Sequence, residues 1–259
     1  MKFKRNFPAG KQRGFSLLEL LLVIAILSLI VGAVFSQMGD AQRRLNAEEM
    51  KLGDFQEARD FVDQFFRDIN QAGTPNIRMY DPVANGFDVS NNLTAQTALM
   101  SKPGLAVGLV RIANDAITFE GSVNGTGTVQ SVTYQINGSG TCALCLQRSQ
   151  VDKATGLPTA QLTNWGTEIN DLTNNTTTFP IFRFYQYDGT QVTIPTGGID
   201  ITTNAAMIAT VKTIQINLTI RNNSIVDLKT GQPIETSFEG EVSLNNCSMA
   251  STGQAMSCQ

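Results

Sequence analysis

The chain has 259 residues, 42% of them hydrophobic and 16% charged, a composition that suits one or two globular domains plus an anchor and excludes disorder throughout. Its formal net charge is −3, and it becomes −8 without the first 14 residues, which disfavours a nucleic-acid-binding surface. The absence of histidine removes the commonest general base and the usual zinc ligand, so an enzyme is disfavoured and no cofactor is predicted.

The N-terminal region combines a basic segment with a long apolar one. The first 14 residues contain five Lys and Arg residues and no acid, and residues 15–35 are almost wholly apolar. About 20 residues let an α-helix cross a bilayer, and the basic flank predicts a cytoplasmic N-terminus with the rest of the chain beyond the membrane. An ordinary signal peptide has a shorter apolar region, about 7–15 residues, that ends at small residues. Only Gly32 and Ala33 fit that description, and the helical pattern continues through them.

Glu19 is the acidic residue inside this apolar segment. A carboxylate in the membrane costs up to about 2.5–3.5 kcal/mol, so it predicts a cationic partner. If the chain is cut between Gly14 and Phe15, the new amino group of Phe15 lies about one helical turn from Glu19 and is largely cationic at neutral pH. Glu19 then pairs with its own terminus or with that of a neighbouring chain, whereas a simple signal anchor gives no reason for the carboxylate.

Residues 13–19, Arg-Gly-Phe-Ser-Leu-Leu-Glu, and the apolar run after them resemble the class III prepilin signal of type IV pilins and type II secretion pseudopilins. The resemblance implies that a prepilin peptidase cuts after Gly14, that Phe15 is then N-methylated, and that Glu19 guides docking into a growing filament. It also implies as partners other major and minor pilins, an inner-membrane assembly platform and the inner membrane itself. The family often has a proline that breaks the helix at the position of Ser36. Because this chain has serine there, a helix break at this position is in doubt, and Gly32 and Gly39 are the candidates to weaken the helix instead of the proline.

After Ser36 the pattern predicts an amphipathic helix. Its apolar positions recur at three- and four-residue steps at Met50, Phe55, Ala58, Phe61, Val62, Phe65, Phe66 and Ile69. Its opposite face is interpreted as solvated and contains Asp54, Glu57, Arg59, Asp60, Asp63, Arg67 and Asp68. Gly73 predicts that the helix ends at Ala72. The phrase over residues 65–73, Phe-Phe-Arg-Asp-Ile-Asn-Gln-Ala-Gly, resembles an element of large minor pilins of the PilW type and of the related pseudopilin J.

The remainder of the chain predicts a mainly antiparallel β head. Seven strands are predicted, at 107–112, 116–120, 129–136, 143–148, 181–187, 210–221 and 237–245, with turns at 137–140 and 187–189. The fold class is therefore α+β, and the order of helix and sheet is similar to that of type IV pilins. The predicted organisation is a leader at 1–14, a transmembrane and filament-core helix at 15–36, an amphipathic helix at 37–73, and a head at 74–259.

Four cysteines lie beyond the apolar segment, where an oxidising compartment favours disulfides: Cys142, Cys145, Cys247 and Cys258. A redox pair at Cys142 and Cys145 is disfavoured because that chemistry needs a helix N-terminus, and a four-cysteine zinc site is disfavoured by the wide second spacing. In a regular strand this pair is about 10 Å apart, so either the segment curls or each cysteine bonds elsewhere. Residues 247–258 resemble the disulfide-closed terminal loop of many type IV pilins, and we favour Cys142 with Cys145 and Cys247 with Cys258 among three connectivities.

These features predict a minor type IV pilin that helps to initiate pilus assembly near the filament tip, and not an enzyme. The alternatives are a J-type minor pseudopilin of type II secretion and a membrane-anchored, adhesin-like binding module, with an extracytoplasmic enzyme that uses two carboxylates as a third class. The predicted location is the bacterial inner membrane, with the N-terminus cytoplasmic and the head periplasmic, followed by the pilus or pseudopilus at the cell surface.

Overall fold

A computed structural model describes residues 14, 16–74, 103–104, 106–137, 144–154, 163–174, 179–226 and 230–244. The chain divides into two compact units, Met1–Glu48 and Glu49–Gln259, and the second is called the C-terminal unit below. In chain order the elements are α1 Leu17–Gln71, β1 Leu109–Ile112, β2 Ala116–Gly121, β3 Gln130–Asn137, β4 Cys145–Asp152, β5 Gly166–Ile169, β6 Phe182–Gln186, β7 Ile199–Asp200, α2 Ile201–Thr210, β8 Val211–Val226 and β9 Pro233–Ser243.

The long helix predicted from the sequence is confirmed. Helix α1 begins at Leu17, where the carbonyl of Ser16 accepts hydrogen bonds from the amides of Glu19 and Leu20. It continues as α-helix through residues 32–39, so the glycines there do not interrupt it. It ends at Gln71, and Gly73 follows with φ of 77°, the left-handed conformation expected of a residue that terminates a helix.

The strands form two antiparallel sheets, which confirms the predicted α+β class. One sheet has six strands in the order β5-β4-β3-β2-β1-β7, and the other has three in the order β6-β8-β9. Each of the seven predicted strands overlaps an observed strand. The predicted turn at 187–189 is confirmed, with Gly189 at φ of 82°, whereas the predicted turn at 137–140 extends into residues outside the described part of the chain.

Three observed elements were not predicted: β5, β7 and α2. Strand β5 reads Gly-Thr-Glu-Ile and has no run of apolar residues, and β7 has only two residues. Helix α2 begins with a capping box, in which the side chain of Asp200 accepts a hydrogen bond from the amide of Thr202 at 2.8 Å. The backbone of Asn204 is not helical, so α2 contains a kink.

The core of the C-terminal unit is built around the apolar face of α1. Five residues of α1 are buried in it: Ala58, Phe61, Val62, Phe65 and Ile69. The ring of Phe65 lies 5.3 Å from that of Tyr134 in β3 and 5.6 Å from that of Phe182 in β6. Because β3 and β6 belong to different sheets, Phe65 packs against both of them at once.

The C-terminal end of α1 lies directly against β2. The amide of Gly73 donates to the carbonyl of Glu120 at 2.8 Å, and the amide of Ser122 donates to the carbonyl of Thr74 at the same distance. A Cβ atom on Gly121 would lie 2.3 Å from the carbonyl oxygen of Gln71, which is too close for any side chain. Glycine at this position therefore allows the helix terminus and the strand to meet.

Candidate functional site

The first part of the candidate site is the exposed apolar segment of α1, residues 17–35. Its large side chains are all exposed, from Leu17 at 75% to Phe35 at 69%. The helix is long and apolar enough to cross a membrane. A continuous apolar surface of this size is unfavourable in water, so the segment is suited to a lipid environment or to packing with other helices.

Glu19 lies in the first turn of α1, at the start of this apolar segment. Its side chain is exposed, and it makes no ion pair within the described residues. A carboxylate in the first turn interacts favourably with the positive end of the helix dipole. Gly14 and Ser16 precede the helix and are exposed, while Phe15 lies outside the described residues, so the proposed amine partner of Glu19 stays a prediction.

The second part is a buried charged network between α1 and the six-stranded sheet. The hydroxyl of Tyr134 donates to Oδ2 of Asp68 at 2.6 Å, and the guanidinium of Arg148 donates to the same oxygen from Nε at 3.0 Å and from Nη2 at 2.7 Å. Burial, together with the negative charge of Asp68, raises the pKa of Tyr134. The hydroxyl therefore stays protonated and acts as a donor in this network.

The interpretation of Asp68 as part of a solvated face is wrong. Its side chain is only 9% exposed, because residue 68 lies three positions after Phe65 and so shares the buried face of α1. Arg148 supplies the compensating charge from β4. The spacing of Phe61, Phe65 and Asp68 was the available signal in the sequence. A carboxylate among apolar positions can be assigned to the buried face only when its cationic partner is known.

A second buried pair joins β2 to the residue after β4. Nζ of Lys153 lies 2.7 Å from Oε2 of Glu120, and both side chains are at most 1% exposed. The amide of Val107 also donates to Oε2 at 3.0 Å. Burial raises the pKa of Glu120 and lowers that of Lys153. Sequence analysis missed this pair, since its members are 33 residues apart and neither belongs to a motif.

An open cavity of about 410 Å³ lies beside α1 in the C-terminal unit. It is lined by Gly53, Gln56, Glu57, Asp60, Phe61, Gln64 and Glu168. Partial removal of water raises the pKa of Glu57, and the charges of Asp54 and Asp171 raise it further, while a backbone hydrogen bond from Asn170 opposes them. Despite these acids, the described residues contain no group of three or more His, Cys, Asp or Glu side chains placed to hold a metal ion.

Replacing Glu57 with glutamine should stabilise the C-terminal unit at neutral pH. The pKa of Glu57 is raised in the folded state, so the contribution of this group to stability falls as the pH rises from its unfolded-state pKa through its folded-state pKa. We expect a gain of about 0.2–0.5 kcal/mol at neutral pH, the size of a like-charge pair on a helix, and no gain well below pH of about 4.3. Urea unfolding at a series of pH values measures this gain in the free energy of unfolding, with Asp63→Asn as the control at an exposed position. A gain that persists in acid would contradict the explanation by the charge of Glu57.

Cys145 is disulfide-bonded and buried at the start of β4. The residue before it, Leu144, has φ of 64°, so the backbone curls immediately before the strand. Cys142, Cys247 and Cys258 lie outside the described residues. The pairing of Cys142 with Cys145 and of Cys247 with Cys258 therefore stays a prediction.

Residues 10–35 match the model of the protein family described as the prokaryotic N-terminal methylation motif. These residues contain Gly14, Phe15, Glu19 and the exposed apolar segment. The match supports a type IV pilin or pseudopilin, whose signal implies processing by a prepilin peptidase and assembly with pilin partners. Comparison with curated proteins found no match, and comparison with solved structures found none either.

Proposed function

We propose that this chain, which has the N-terminal methylation motif, is a minor type IV pilin that helps to initiate pilus assembly and lies near the filament tip. The observation on which the proposal depends is Glu19, a carboxylate in the first turn of an exposed apolar helix within that motif. No catalytic step is assigned to the chain, because its role is to be a structural subunit.

Processing prepares the N-terminus for assembly. The prepilin peptidase cuts after Gly14 on the cytoplasmic face, and methylation of the new amino group of Phe15 follows. The amine keeps its positive charge and lies about one helical turn before Glu19. An opposite charge at this distance compensates the carboxylate inside the membrane, where it would otherwise cost up to about 2.5–3.5 kcal/mol.

Assembly then depends on the two ends of α1. The apolar segment anchors the subunit in the inner membrane and packs laterally against the corresponding helices of other pilins. The buried face of α1, with Phe65 and Asp68, fixes the helix to both sheets of the C-terminal unit. A subunit drawn into a filament by its helix therefore brings its periplasmic head with it.

Mass spectrometry of the mature N-terminus tests the proposal directly. We expect a chain that begins at a methylated Phe15 in cells that contain the prepilin peptidase. The uncut chain should accumulate in cells that lack the peptidase. A mature protein that keeps Met1, or one that is cut near Ala33, would refute the proposal, because either result indicates a different signal.

Replacing Glu19 with alanine should impair incorporation into filaments and leave the C-terminal unit folded. A charge-assisted hydrogen bond contributes about 1.5–3 kcal/mol, so we expect incorporation to fall at least about tenfold. Glu19→Gln should behave like Glu19→Ala, because the charge and not the size of the side chain is needed. The measurement is the amount of the chain in sheared filaments relative to the membrane fraction. Glu48→Ala, an exposed carboxylate elsewhere on α1, is the control, and equal incorporation of all variants would refute the charge pair.

A further inference from the structure

Strand β9 is a long edge strand, and within the part of the chain that the structure describes one of its sides pairs with no strand. It pairs with β8 along its whole length, from Pro233 to Ser243, and with no other described strand. The opposite edge of the same sheet is covered, because the amide of Val192 donates to the carbonyl of Phe184 at 2.8 Å. In the six-stranded sheet, the edge strands β5 and β7 have only four and two residues. Among the described strands, β9 therefore presents the longest open edge, a feature that proteins usually block.

The direction of the backbone groups in β9 follows from the bonds of β8. The amide of Asn217 donates to the carbonyl of Ile181, and that of Arg221 donates to the carbonyl of Asp171. The backbone N–H and C=O groups of odd-numbered residues of β8 therefore point away from β9. The backbone groups of even-numbered residues of β8 therefore form the hydrogen bonds to β9. The residues of β9 opposite them also have even numbers, as in the pair Ile216 and Gly240. The free edge consequently presents the N–H and C=O groups of Glu235, Ser237, Glu239, Glu241 and Ser243.

The side chains of these five residues share one face of the sheet, and all are exposed. Glu235 forms an ion pair with Arg221, whereas Glu239 and Glu241 have no cationic partner within the described residues. The other face of β9 is mainly apolar, with Thr236 as its polar member, and it packs on α1. There the ring of Phe238 lies 5.6 Å from that of Phe55, which remains 40% exposed.

A second copy of this chain does not suit the open edge. Antiparallel pairing of two β9 strands through this edge would place odd-numbered residues opposite odd-numbered residues on one face. In every register that places at least three of these five residues opposite residues of the same set in the other copy, at least one glutamate lies opposite another glutamate. Like charges directly opposite each other destabilise a strand pair, so the edge disfavours self-association.

We propose that the open edge of β9 binds an extended segment of another protein with Lys or Arg at alternate positions and apolar residues between them. The segment adds a fourth strand to the β6-β8-β9 sheet by main-chain hydrogen bonds. Its basic side chains lie opposite Glu239 and Glu241, and its apolar side chains continue the surface formed by Phe55 and Phe238. The inference depends on this edge alone and holds whether or not the chain assembles into pili.

Peptide binding to the full chain in detergent micelles tests the proposal. The probe is a fluorescent peptide of alternating Lys and Val, as long as β9, and the measurement is fluorescence anisotropy. A peptide with Glu in place of Lys controls for charge. A third peptide, N-methylated at each Lys, keeps the charge but lacks the donors that face β9. We expect only the first to bind tightly, with the methylated peptide at least about tenfold weaker because several hydrogen bonds are lost.

A charge-reversed variant distinguishes the proposed contact from non-specific binding of the peptide. The double substitution Glu239→Lys and Glu241→Lys should reverse the preference, so that the Glu peptide binds better than the Lys peptide. Reversed binding cannot result from misfolding, which would only abolish binding. The matched control is Glu48→Lys with Glu49→Lys on α1, which changes the net charge equally and should leave the preference as in the wild type.

Amide hydrogen exchange locates the bound peptide. We expect added protection at Ser237, Glu239 and Glu241 when the Lys peptide is present. Equal affinity for the methylated and unmethylated peptides, an unchanged preference in the charge-reversed variant, or no binding at all would each overturn the proposal. Self-association that disappears in the charge-reversed variant would overturn it too, because the occupant would then be a second copy.

Discussion

Replacing Asp68 with alanine is expected to lower the free energy of unfolding of the C-terminal unit by about 3–5 kcal/mol, the effect of removing one partner from a buried ion pair. Asp68 accepts hydrogen bonds from Tyr134 and Arg148, and the side chain of Arg148 is only 14% exposed. Without the carboxylate, the guanidinium keeps its charge in a site that excludes most water. Urea unfolding of the full chain in detergent micelles, followed by the fluorescence of Trp165, the sole tryptophan, measures the loss.

A set of variants shows whether the loss comes from an uncompensated charge. The triple substitution Asp68→Leu, Tyr134→Phe and Arg148→Met replaces the network with apolar groups and should recover most of the stability. Asp63→Ala, an exposed carboxylate on the same helix, should change the free energy of unfolding by less than about 0.5 kcal/mol. If the effects of the single substitutions simply add up in the triple variant, the three residues do not act as a unit.

The second large effect is expected for Phe65→Ala, with a loss of about 3–5 kcal/mol in the free energy of unfolding. Phe65 is fully buried and packs on Tyr134 of one sheet and Phe182 of the other. Its removal leaves a cavity where α1, β3 and β6 meet, and a cavity adds to the cost of the lost burial. The same urea unfolding experiment measures the change.

Phe65→Leu and Phe55→Ala are the comparisons for this prediction. Leucine keeps much of the volume and should cost clearly less than alanine. Phe55 belongs to the same helix, remains 40% exposed and, among the described residues, has its ring contact with Phe238, so its replacement by alanine should also cost less than Phe65→Ala. Equal losses for Phe55→Ala and Phe65→Ala would mean that the position of Phe65 between the sheets has no special importance.

The parts of the fold that were predicted are those with a strong periodic pattern. Helix α1 follows from a long, almost wholly apolar segment, a three- and four-residue apolar repeat and a terminating glycine. Strand β8 follows from Ile214, Ile216, Leu218 and Ile220, which are buried while the residues between them are only partly covered. In both cases a local repeat is sufficient to determine the element and its buried face.

The parts that were missed depend on tertiary contacts. Strand β5 is polar and is a strand because β4 pairs with it at Leu146 and Ile169. Helix α2 is short and kinked, and it depends on the cap from Asp200. Asp68 has the chemistry of a surface residue and becomes part of the core only through a partner 80 positions away. No local pattern contains that information.

The candidate functional residues show the same division. Gly14, Phe15 and Glu19 were proposed from a short local motif, and the family match covers the same residues. The open edge of β9 had no such signal, since the order of strands in a sheet determines which strand is left at the edge. The local motif was therefore readable from the sequence, whereas the open edge became visible only with the order of the strands.

The contact between the end of α1 and β2 has a mechanical consequence. Residues 72–74 lie beside residues 120–122 and are joined to them by hydrogen bonds from Gly73 to Glu120 and from Ser122 to Thr74. Force applied to the C-terminal end of α1 is therefore transmitted to the six-stranded sheet through these backbone hydrogen bonds and through the contacts of Asp68 with Tyr134 and Arg148. Because these contacts and the packing of Phe65 act in parallel, the end of α1 separates from the sheets only when all of them break.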